Sequence, residues 1–459
     1  MENITLLEAI DVINGKVVSG NVNNELRVED VITDSRIKTK NGLFFAVVGE
    51  NTDGHEYIGA AKENGAVASV ISHTLESYDE NLVYILVEDS LCALRELATW
   101  YFSKFNIPVV GVTGSVGKTT TKEMIASVLS TKYNVLKTEG NFNSVIGAPL
   151  TALKVNSSHE MAVIEMGMDH MGEIYNISKI IKPDTAVITN IGVAHIEHLK
   201  TRENILKAKT EVFENMKENG VIVLNKDDDM LVTIDNDLDK IWYGYSEEAD
   251  VRAVSADISY TEGIVKATFV INGNEYIVNI PGLSKNLVYA ALIGISVGLR
   301  YNMDISDVIA GIESYKGIKM RMDVKKLNNN ILLIDDTYNA NPVSMKSLID
   351  TVAASSKAVK TVIMGDMFEL GTESFEGHKS VIEYAMGKGI ANVIAIGPNM
   401  KEAYDSLEDS IKQDVKFYAK KEEVYEDLLN YLAPDSVVAV KASRGMKFED
   451  IVKKIIEVI

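Results

Sequence analysis

Cysteine is almost missing from this chain: its 459 residues include one, Cys92. No disulfide can close within the chain, which fits a reducing, cytoplasmic compartment. Cys92 sits in an apolar helical pattern and is expected as a small core residue. Proline is scarce as well, at seven residues, and no low-complexity tract interrupts the sequence. Basic charge is short: 46 Lys and Arg face 66 Asp and Glu, for a net charge of −20. Such a field repels duplex nucleic acid, and no basic stripe offsets it, so nucleic-acid and membrane-surface roles are excluded. Any anionic substrate must then be held locally, by backbone N–H groups, a few Lys or Arg, or metal ions. No apolar run reaches the ~18 residues of a membrane span. Met1-Glu2-Asn3-Ile4 lacks the basic and apolar regions of a signal peptide.

What is present is an ordinary globular mixture, 46% hydrophobic and 24% charged. At ~150 residues per domain the length implies two to four domains. Strand-like runs alternate with helix-like runs, which argues for α/β layers around mainly parallel sheets. The first segment, 1–107, holds short strands at 43–48, 67–71 and 83–87. It ends in a helix with Leu91, Leu94, Ala98, Tyr101 and Phe105 on one face. Asn106-Ile107-Pro108 breaks that helix and starts a strand. The second segment, 108–315, carries strands at 108–113, 161–165, 185–190 and 221–224. Alternating strands follow over 251–280, with Asn272-Gly273-Asn274 as a hairpin turn, and then helices at 287–299 and 305–315. The third segment, 316–459, places strands at 331–335, 361–364, 392–396, 415–418 and 437–440, each followed by a helical pattern. That is a small doubly wound domain, in which ligands bind beyond the carboxyl ends of the strands. Asp335-Asp336, Gly365-Asp366 and Lys441 to Arg444 all fall at such ends.

The sharpest motif runs from Val109 to Thr120, with Gly114-Ser115-Val116-Gly117-Lys118-Thr119-Thr120 at its centre. A strand leads in and a helix leads out. Glycines let successive N–H groups face a phosphate, the helix N-terminus adds positive potential, and Lys118 supplies a mobile charge. Thr119 is placed to ligate Mg²⁺ through its hydroxyl. The usual spacing asks for glycine at Val112; here the first glycine is Gly111, and Gly114 lies inside the loop. A phosphate loop specifies a nucleotide and leaves the reaction open among kinases, motor-like ATPases and ligases.

Further segments, read with this loop, resemble the Mur ligases of peptidoglycan synthesis over nearly the whole chain. Val112 to Thr120 is similar to that family's phosphate loop, shifted glycine included. Thr33-Asp34-Ser35-Arg36 and Asp53-Gly54-His55 resemble its uridine-nucleotide module. Thr138-Glu139-Gly140-Asn141-Phe142-Asn143 resembles the stretch that contacts the nucleotide-sugar. Glu165-Met166-Gly167 and Thr189-Asn190-Ile191-Gly192-Val193-Ala194-His195 resemble metal-site segments. Lys209, in Lys207-Ala208-Lys209-Thr210-Glu211, corresponds to the lysine that the family carbamylates with CO₂; Lys207 competes for that assignment. Asp336-Thr337-Tyr338-Asn339-Ala340-Asn341, Gly365 to Gly371, His378 and Lys441-Ala442-Ser443-Arg444 resemble the branch that uses D-alanyl-D-alanine. The neighbouring tripeptide-forming branch would show an Asp-Asn-Pro-Arg type of motif, and none is present. Ser284 to Ala291 departs from the family's Gly-x-His-Asn-Val-x-Asn-Ala pattern.

The resemblance implies three α/β domains: 1–107 for the UDP-sugar, a central P-loop ATPase domain over 108–315, and a C-terminal Rossmann-like domain over 316–459. It implies ATP, two Mg²⁺ ions and a carbamate on Lys209. ATP would contact Gly114 to Thr120, Arg321, Asp336 and Asn339. The UDP-sugar would contact Ser35, Arg36, Thr138, Asn141 and Asn143, and the acceptor Tyr338, Asn341, Lys441 and Ser443. Thr119, Glu165, His195 and carbamylated Lys209 would hold metal, and Lys118, Lys209 and His195 would serve catalysis. The activity implied is ligation of D-alanyl-D-alanine to UDP-N-acetylmuramoyl-tripeptide through an acyl phosphate, by a cytoplasmic monomer. A P-loop ATPase that switches conformation is the rival; it predicts ATP turnover without an amine acceptor.

Overall fold

A computed structural model of the chain describes residues 1–2, 4–23, 25–49, 52–193 and 196–459. It packs as two compact units, one of Met1–Thr113, Lys132–Val187 and Ala208–Val221, the other of Gly114–Thr131, Ile188–Lys207 and Ile222–Ile459. The expected central segment, 108–315, therefore contributes to both.

The first unit opens with α1 (Leu6–Val12), β1 (Lys16–Ser19), β2 (Asp30–Ile32), β3 (Gly42–Phe45), α2 (Ile58–Glu63), β4 (Ala66–Ile71), β5 (Val83–Leu86) and α3 (Ser90–Phe102). These strands form a sheet in the order β1-β5-β4-β3-β2, parallel except for β1 against β5. Asp89 caps α3, accepting from the N–H groups of Leu91 and Cys92 at 2.7 and 2.8 Å. The buried face of α3 runs through Ala93, Leu94, Leu97, Ala98 and Tyr101. Cys92 corrects the expectation of a core cysteine: it is exposed. It lies in the capped first turn and points away from that stripe.

The unit continues with β6 (Val109–Thr113). After it come α4 (Lys118–Leu129), which belongs to the second unit, then β7 (Val135–Lys137), α5 (Gly147–Ala152), β8 (Met161–Glu165), α6 (Glu173–Ile181) and β9 (Thr185–Ile188). Strands stand in the order β9-β6-β8-β7, and β6 and β7 both pair with β8 in parallel. Their residues are buried almost throughout, as strands covered on both faces require.

α7 (Ile196–Leu199), α8 (Arg202–Thr210), β10 (Val221–Asn225), β11 (Asp239–Gly244), β12 (Val251–Ser259), β13 (Ile264–Ile271) and β14 (Asn274–Pro281) come next, then α9 (Leu287–Arg300) and α10 (Ile305–Glu313). The expected hairpin is present: β13 and β14 pair antiparallel around Asn272 and Gly273, at φ 49° and 79°. Two successive positive φ values are what a two-residue hairpin turn needs, and Asn-Gly supplies them cheaply.

The remaining elements are β15 (Asp323–Lys326), β16 (Leu332–Asp335), α11 (Pro342–Ala353), β17 (Val359–Gly365), α12 (Ser374–Gly387), β18 (Asn392–Ile396), α13 (Pro398–Asp405), α14 (Asp409–Lys412), β19 (Val415–Tyr418), α15 (Val424–Tyr431), β20 (Ser436–Lys441) and α16 (Glu449–Val458). Their sheet has the order β15-β16-β20-β17-β18-β19, parallel from β16 onward. Strand side chains alternate between two cores. Leu332, Ile334, Val362 and Met364 pack with Leu348 of α11 and Val381 of α12. Leu333, Ile363, Val438 and Val440 pack on the other face with Leu428 of α15 and Ile451 of α16. The chain thus leaves β16 and β17 toward one face and β20 toward the other. That reversal opens a crevice at the carboxyl ends of these three strands.

Candidate active site

In the second unit the phosphate loop is shaped by neighbours that leave little choice of sequence. Gly114 has φ +145°, and a Cβ there would fall 1.9 Å from Thr189 Oγ1. Gly117, at φ 86°, is the N-cap of α4. The shifted glycine has its own reason: Gly111 belongs to β6, where a Cβ would press on Met166 Cε at 2.8 Å. Asn190 holds the loop like a strand partner. Its Oδ1 accepts from Val116 N–H, and its Nδ2 donates to Val116 O, both at 3.0 Å. Ser115 N–H donates to Asn190 O, Thr189 Oγ1 donates to Val116 O at 2.7 Å, and Gly192 N–H donates to Ser115 Oγ. The first turn of α4 starts at Lys118, and Thr121 N–H makes its first helical bond, to Gly117 O. The amides before it point along the axis toward the loop, where an anion gains most. Lys118 Nζ donates to Gly114 O at 2.8 Å, and the Thr119 side chain is buried.

Arg321 enters the same neighbourhood. Its guanidinium stacks on Tyr338 with 4.0 Å to the ring centroid. Burial pushes the Tyr315 phenol well up, Glu123 adds to that, and the Arg321 charge and a hydrogen bond with Thr120 pull it back. Tyr315 therefore links Arg321 to the start of α4.

The crevice of the C-terminal sheet is built on a buried ion pair. Lys441 Nζ donates to Asp336 Oδ2 at 2.5 Å and to Asn339 O at 2.7 Å. Asp336 Oδ1 accepts from Met322 N–H. Asn339 accepts from the next N–H in the chain, Ala340, and Asn341 caps α11 by accepting from Ser344 N–H at 2.8 Å. Ser443 is buried; its Oγ accepts from Phe368 N–H at 2.8 Å, and its own N–H donates to Asp366 O at 3.0 Å. The Asp366 carboxylate accepts from Met400 and Asn399 N–H at the start of α13, while burial raises its pKa. His378 Nε2 accepts from Met367 N–H, and burial holds its pKa below the usual value.

In the first unit, Glu165 ends β8 in register with Val112 of β6. It is buried, its Oε1 accepts from Asn143 Nδ2 at 2.7 Å, and its N–H donates to Thr138 Oγ1 at 2.9 Å. Thr138 is fully buried, so it supports Glu165 rather than facing solvent, whereas Asn141 is exposed. Lys209 is 1% exposed, an extreme position for a lysine. Glu211 accepts from the N–H groups of Gly172 and Tyr175 at the start of α6. Ser35 is buried; Arg36 grips Asp34 through Nε and Nη2 at 2.8 and 2.7 Å, which lowers the Asp34 pKa to about 2. Asp53, His55 and His73 form a tight group, with the imidazoles stacked at 3.9 Å. It is a poor metal site. His55 Nε2 accepts from Ser72 N–H, so its proton is on Nδ1 and directed at Asp53. His195 lies outside the described residues.

Residues 112–298 match the Mur ligase middle domain, and residues 320–444 match the "Mur ligase, glutamate ligase domain". A UDP-N-acetylmuramoyl-tripeptide–D-alanyl-D-alanine ligase of Bacillus subtilis is 37% identical over 94% of this chain and 93% of its own length. The chain belongs to the Mur ligase family. An Escherichia coli enzyme of the same name is 31% identical over 100% of this chain and 99% of its own. MurF from Acinetobacter baumannii superposes with a TM-score of 0.90 at 26% identity, covering 100% of this chain and 99% of that one. MurF from Thermotoga maritima, solved with ADP, gives 0.82 at 29% identity, covering 95% and 99%. As a Mur ligase this is an ATP-dependent ligase with the three-domain α/β architecture, a central P-loop domain and a Rossmann-like C-terminal domain.

Each unit holds a buried oxygen donor of the kind a hard cation takes: the Glu165 carboxylate in the first and the Thr119 hydroxyl in the second. By sequence, Thr189 and Asn190 fall in a metal-site segment and Tyr315 at a helix end, and what they do for the phosphate loop is missed. Asn190 and Thr189 look like a strand end, and Tyr315 looks like the tail of a helix, until the loop they serve is seen. Ser284 to Ala291 is a different case. There Tyr289, at a variable position of the family pattern, donates to Asp227 Oδ2 at 3.1 Å and packs edge-on against Tyr243 and Tyr245.

Proposed function

We propose that this Mur ligase joins D-alanyl-D-alanine to UDP-N-acetylmuramoyl-tripeptide through an acyl phosphate, releasing ADP and phosphate. The observation that carries the reading is full-length likeness to relatives bearing that name, at 37% identity in Bacillus subtilis. The absence of an Asp-Asn-Pro-Arg motif around Asp336 supports the same acceptor.

In this reading 1–107, 108–315 and 316–459 are the UDP-sugar, ATP and acceptor domains. The amides at the start of α4 and Lys118 hold the nucleotide phosphates, and Arg321 and the Asp336–Asn339 loop complete that site. Thr119, Glu165, His195 and carbamylated Lys209 would hold two Mg²⁺ ions, which supply positive charge between crowded anions. The burial of Lys209 supports the carbamate, because it removes the amine from solvent. Asn143, hydrogen-bonded to Glu165, ties the UDP-sugar stretch to the metal carboxylate. Ser35, Arg36, Thr138 and Asn141 complete the UDP-sugar site, Thr138 through its support of Glu165. Tyr338, Asn341, Lys441 and Ser443 shape the acceptor crevice. Lys118 holds charge against the equatorial oxygens as phosphoryl moves to the peptide carboxylate. The acceptor amine then displaces phosphate from the carbonyl carbon. The same reading makes the protein a monomer working in the cytoplasm; none of the described helices is long and apolar enough to cross a membrane.

The test is phosphate release from ATP and Mg²⁺ with UDP-N-acetylmuramoyl-tripeptide, with and without D-alanyl-D-alanine, with the product weighed by mass spectrometry. Release that needs both substrates, with a product heavier by one dipeptide, is expected. Release indifferent to both would overturn the reading.

A further inference from the structure

We propose that Phe368 sets acceptor specificity: its ring forms the apolar wall of the crevice at the carboxyl ends of β16, β20 and β17, against which the acceptor's methyl groups pack. The inference rests on the acceptor named in the proposed function.

Phe368 is 44% exposed, while Met367 and Leu370 beside it are buried. An aromatic left in water on a loose loop would call for no explanation. This loop is not loose. Phe368 N–H donates to buried Ser443 Oγ at 2.8 Å, and Met367 N–H donates to buried His378 Nε2 at 2.8 Å. Ser443 N–H closes the latch on Asp366 O at 3.0 Å. The ring lies against Gly445, where an added Cβ would sit 2.9 Å from Phe368 Cε2. A glycine under an aromatic ring lets it lie close to the backbone, and no other residue type fits without displacing it. The far end of the loop rests on α7: a Cβ at Gly371 would come within 3.3 Å of Glu197 Cβ. α7 begins one residue after His195. The loop that carries the exposed ring is thus tied to Ser443, just past β20, and to α7 at its far end.

The chemistry of the acceptor fits this placement. A D-alanyl dipeptide has an amine, a carboxylate and two methyl groups. Lys441, Asp336 and Ser443 are the buried polar groups at the carboxyl ends of β20 and β16. Phe368 and Val343 are the large apolar side chains exposed in the loops and helix starts that follow these strands. Of the two, Phe368 is the one held by side-chain and backbone bonds from neighbouring strands.

The experiment is steady-state kinetics of the full chain and its Phe368→Ala, Phe368→Leu and Gly445→Ala variants. D-Alanyl-D-alanine, glycyl-D-alanine and D-alanylglycine serve as acceptors, at saturating ATP and UDP-N-acetylmuramoyl-tripeptide. Each methyl that loses an apolar contact costs about fourfold. Phe368→Ala is therefore expected to raise the KM for D-alanyl-D-alanine by about four- to fifteenfold and to lose most of its preference over the glycine-containing dipeptides. The KM for ATP should hold. Phe368→Leu should restore much of the preference, and Gly445→Ala, which displaces the ring without removing it, should shift KM in the same direction. An equal loss with all three acceptors, or an undiminished preference in Phe368→Ala, overturns the proposal. If the unaltered protein releases no phosphate in response to acceptor, the underlying acceptor reading falls, and this inference falls with it.

Discussion

Replacing Asn190 tests the idea that the phosphate loop is held from the side. In Asn190→Ala, Val116 N–H loses its acceptor, while Val116 O keeps the bond from Thr189 Oγ1. An orphaned amide costs about 1–3 kcal/mol. Val116 is partly exposed, so water softens the loss and the lower end, about 1 kcal/mol, applies. Asn190→Asp separates geometry from charge. Its carboxylate can still accept from Val116 N–H, but its second oxygen replaces the Nδ2 donor that faces Val116 O, and it places a negative charge beside the polyphosphate. A unit charge about 8 Å from a phosphate costs about 2 kcal/mol at an effective dielectric constant of about 20. That corresponds to about thirtyfold in affinity. Titration calorimetry with a non-hydrolysable ATP analogue, paired with thermal melts, distinguishes the two effects. We expect about fivefold weaker binding in Asn190→Ala and about thirtyfold in Asn190→Asp, with both variants melting below the parent because each loses the Nδ2 bond to Val116 O. Asn190→Asp binding the analogue as tightly as the parent would refute the assignment of this loop to phosphate.

Lys441→Met should strand the buried Asp336 carboxylate and destabilise the protein by about 3–5 kcal/mol, as loss of one partner of a buried pair does. Chemical denaturation measures this, and adding Asp336→Asn should recover a good part of it. Lys209→Ala should lose ligation and regain some with added short-chain carboxylic acids; full activity without them would remove the carbamate. Asp34 is expected to titrate by NMR at about 2. Arg36→Ala should return it toward the ordinary aspartate value of about 3.9. Because the folded pKa is the lower one, the pair's contribution is present above about pH 4 and fades as pH falls toward 2. Both side chains are solvent-exposed, so the effect on stability should be small. A midpoint unmoved by Arg36→Ala would show that the pairing does not persist in solution.

Much of this fold is written locally and is legible for that reason. The Asn272-Gly273 hairpin depends on two adjacent residues, and the strand–loop–helix of the phosphate site on a dozen. The alternation of strand and helix gives the doubly wound domain. What sequence spacing does not carry is the set of partners brought from afar. Thr138 reads as a polar loop residue, yet it is buried under Glu165, 27 residues away. Cys92 fits an apolar pattern, but one residue of phase decides between core and water on a helix, and the capped first turn of α3 turns it outward. The importance of Asn190 lies in its reach to Val116, 74 residues back along the chain. No window of sequence shows that. By residue type and spacing alone Lys209 is an ordinary helical lysine; the family resemblance singles it out, and its burial sets it apart from a surface charge.

The place of β20 has a consequence for how this protein is made. It comes last of the strands in chain order, yet it stands inside the sheet between β16 and β17. A nascent chain released up to residue 435 would own β15 to β19 and still have a missing row in the middle of its scaffold, with β16 and β17 each lacking a neighbour. Folding of this domain cannot proceed piece by piece as the chain emerges from the ribosome; it must wait for the stretch that also delivers Lys441. A premature stop before Ser436 would therefore remove the keystone of the domain rather than trim an edge, and the truncated product should be cleared by cellular proteases as an unfolded segment.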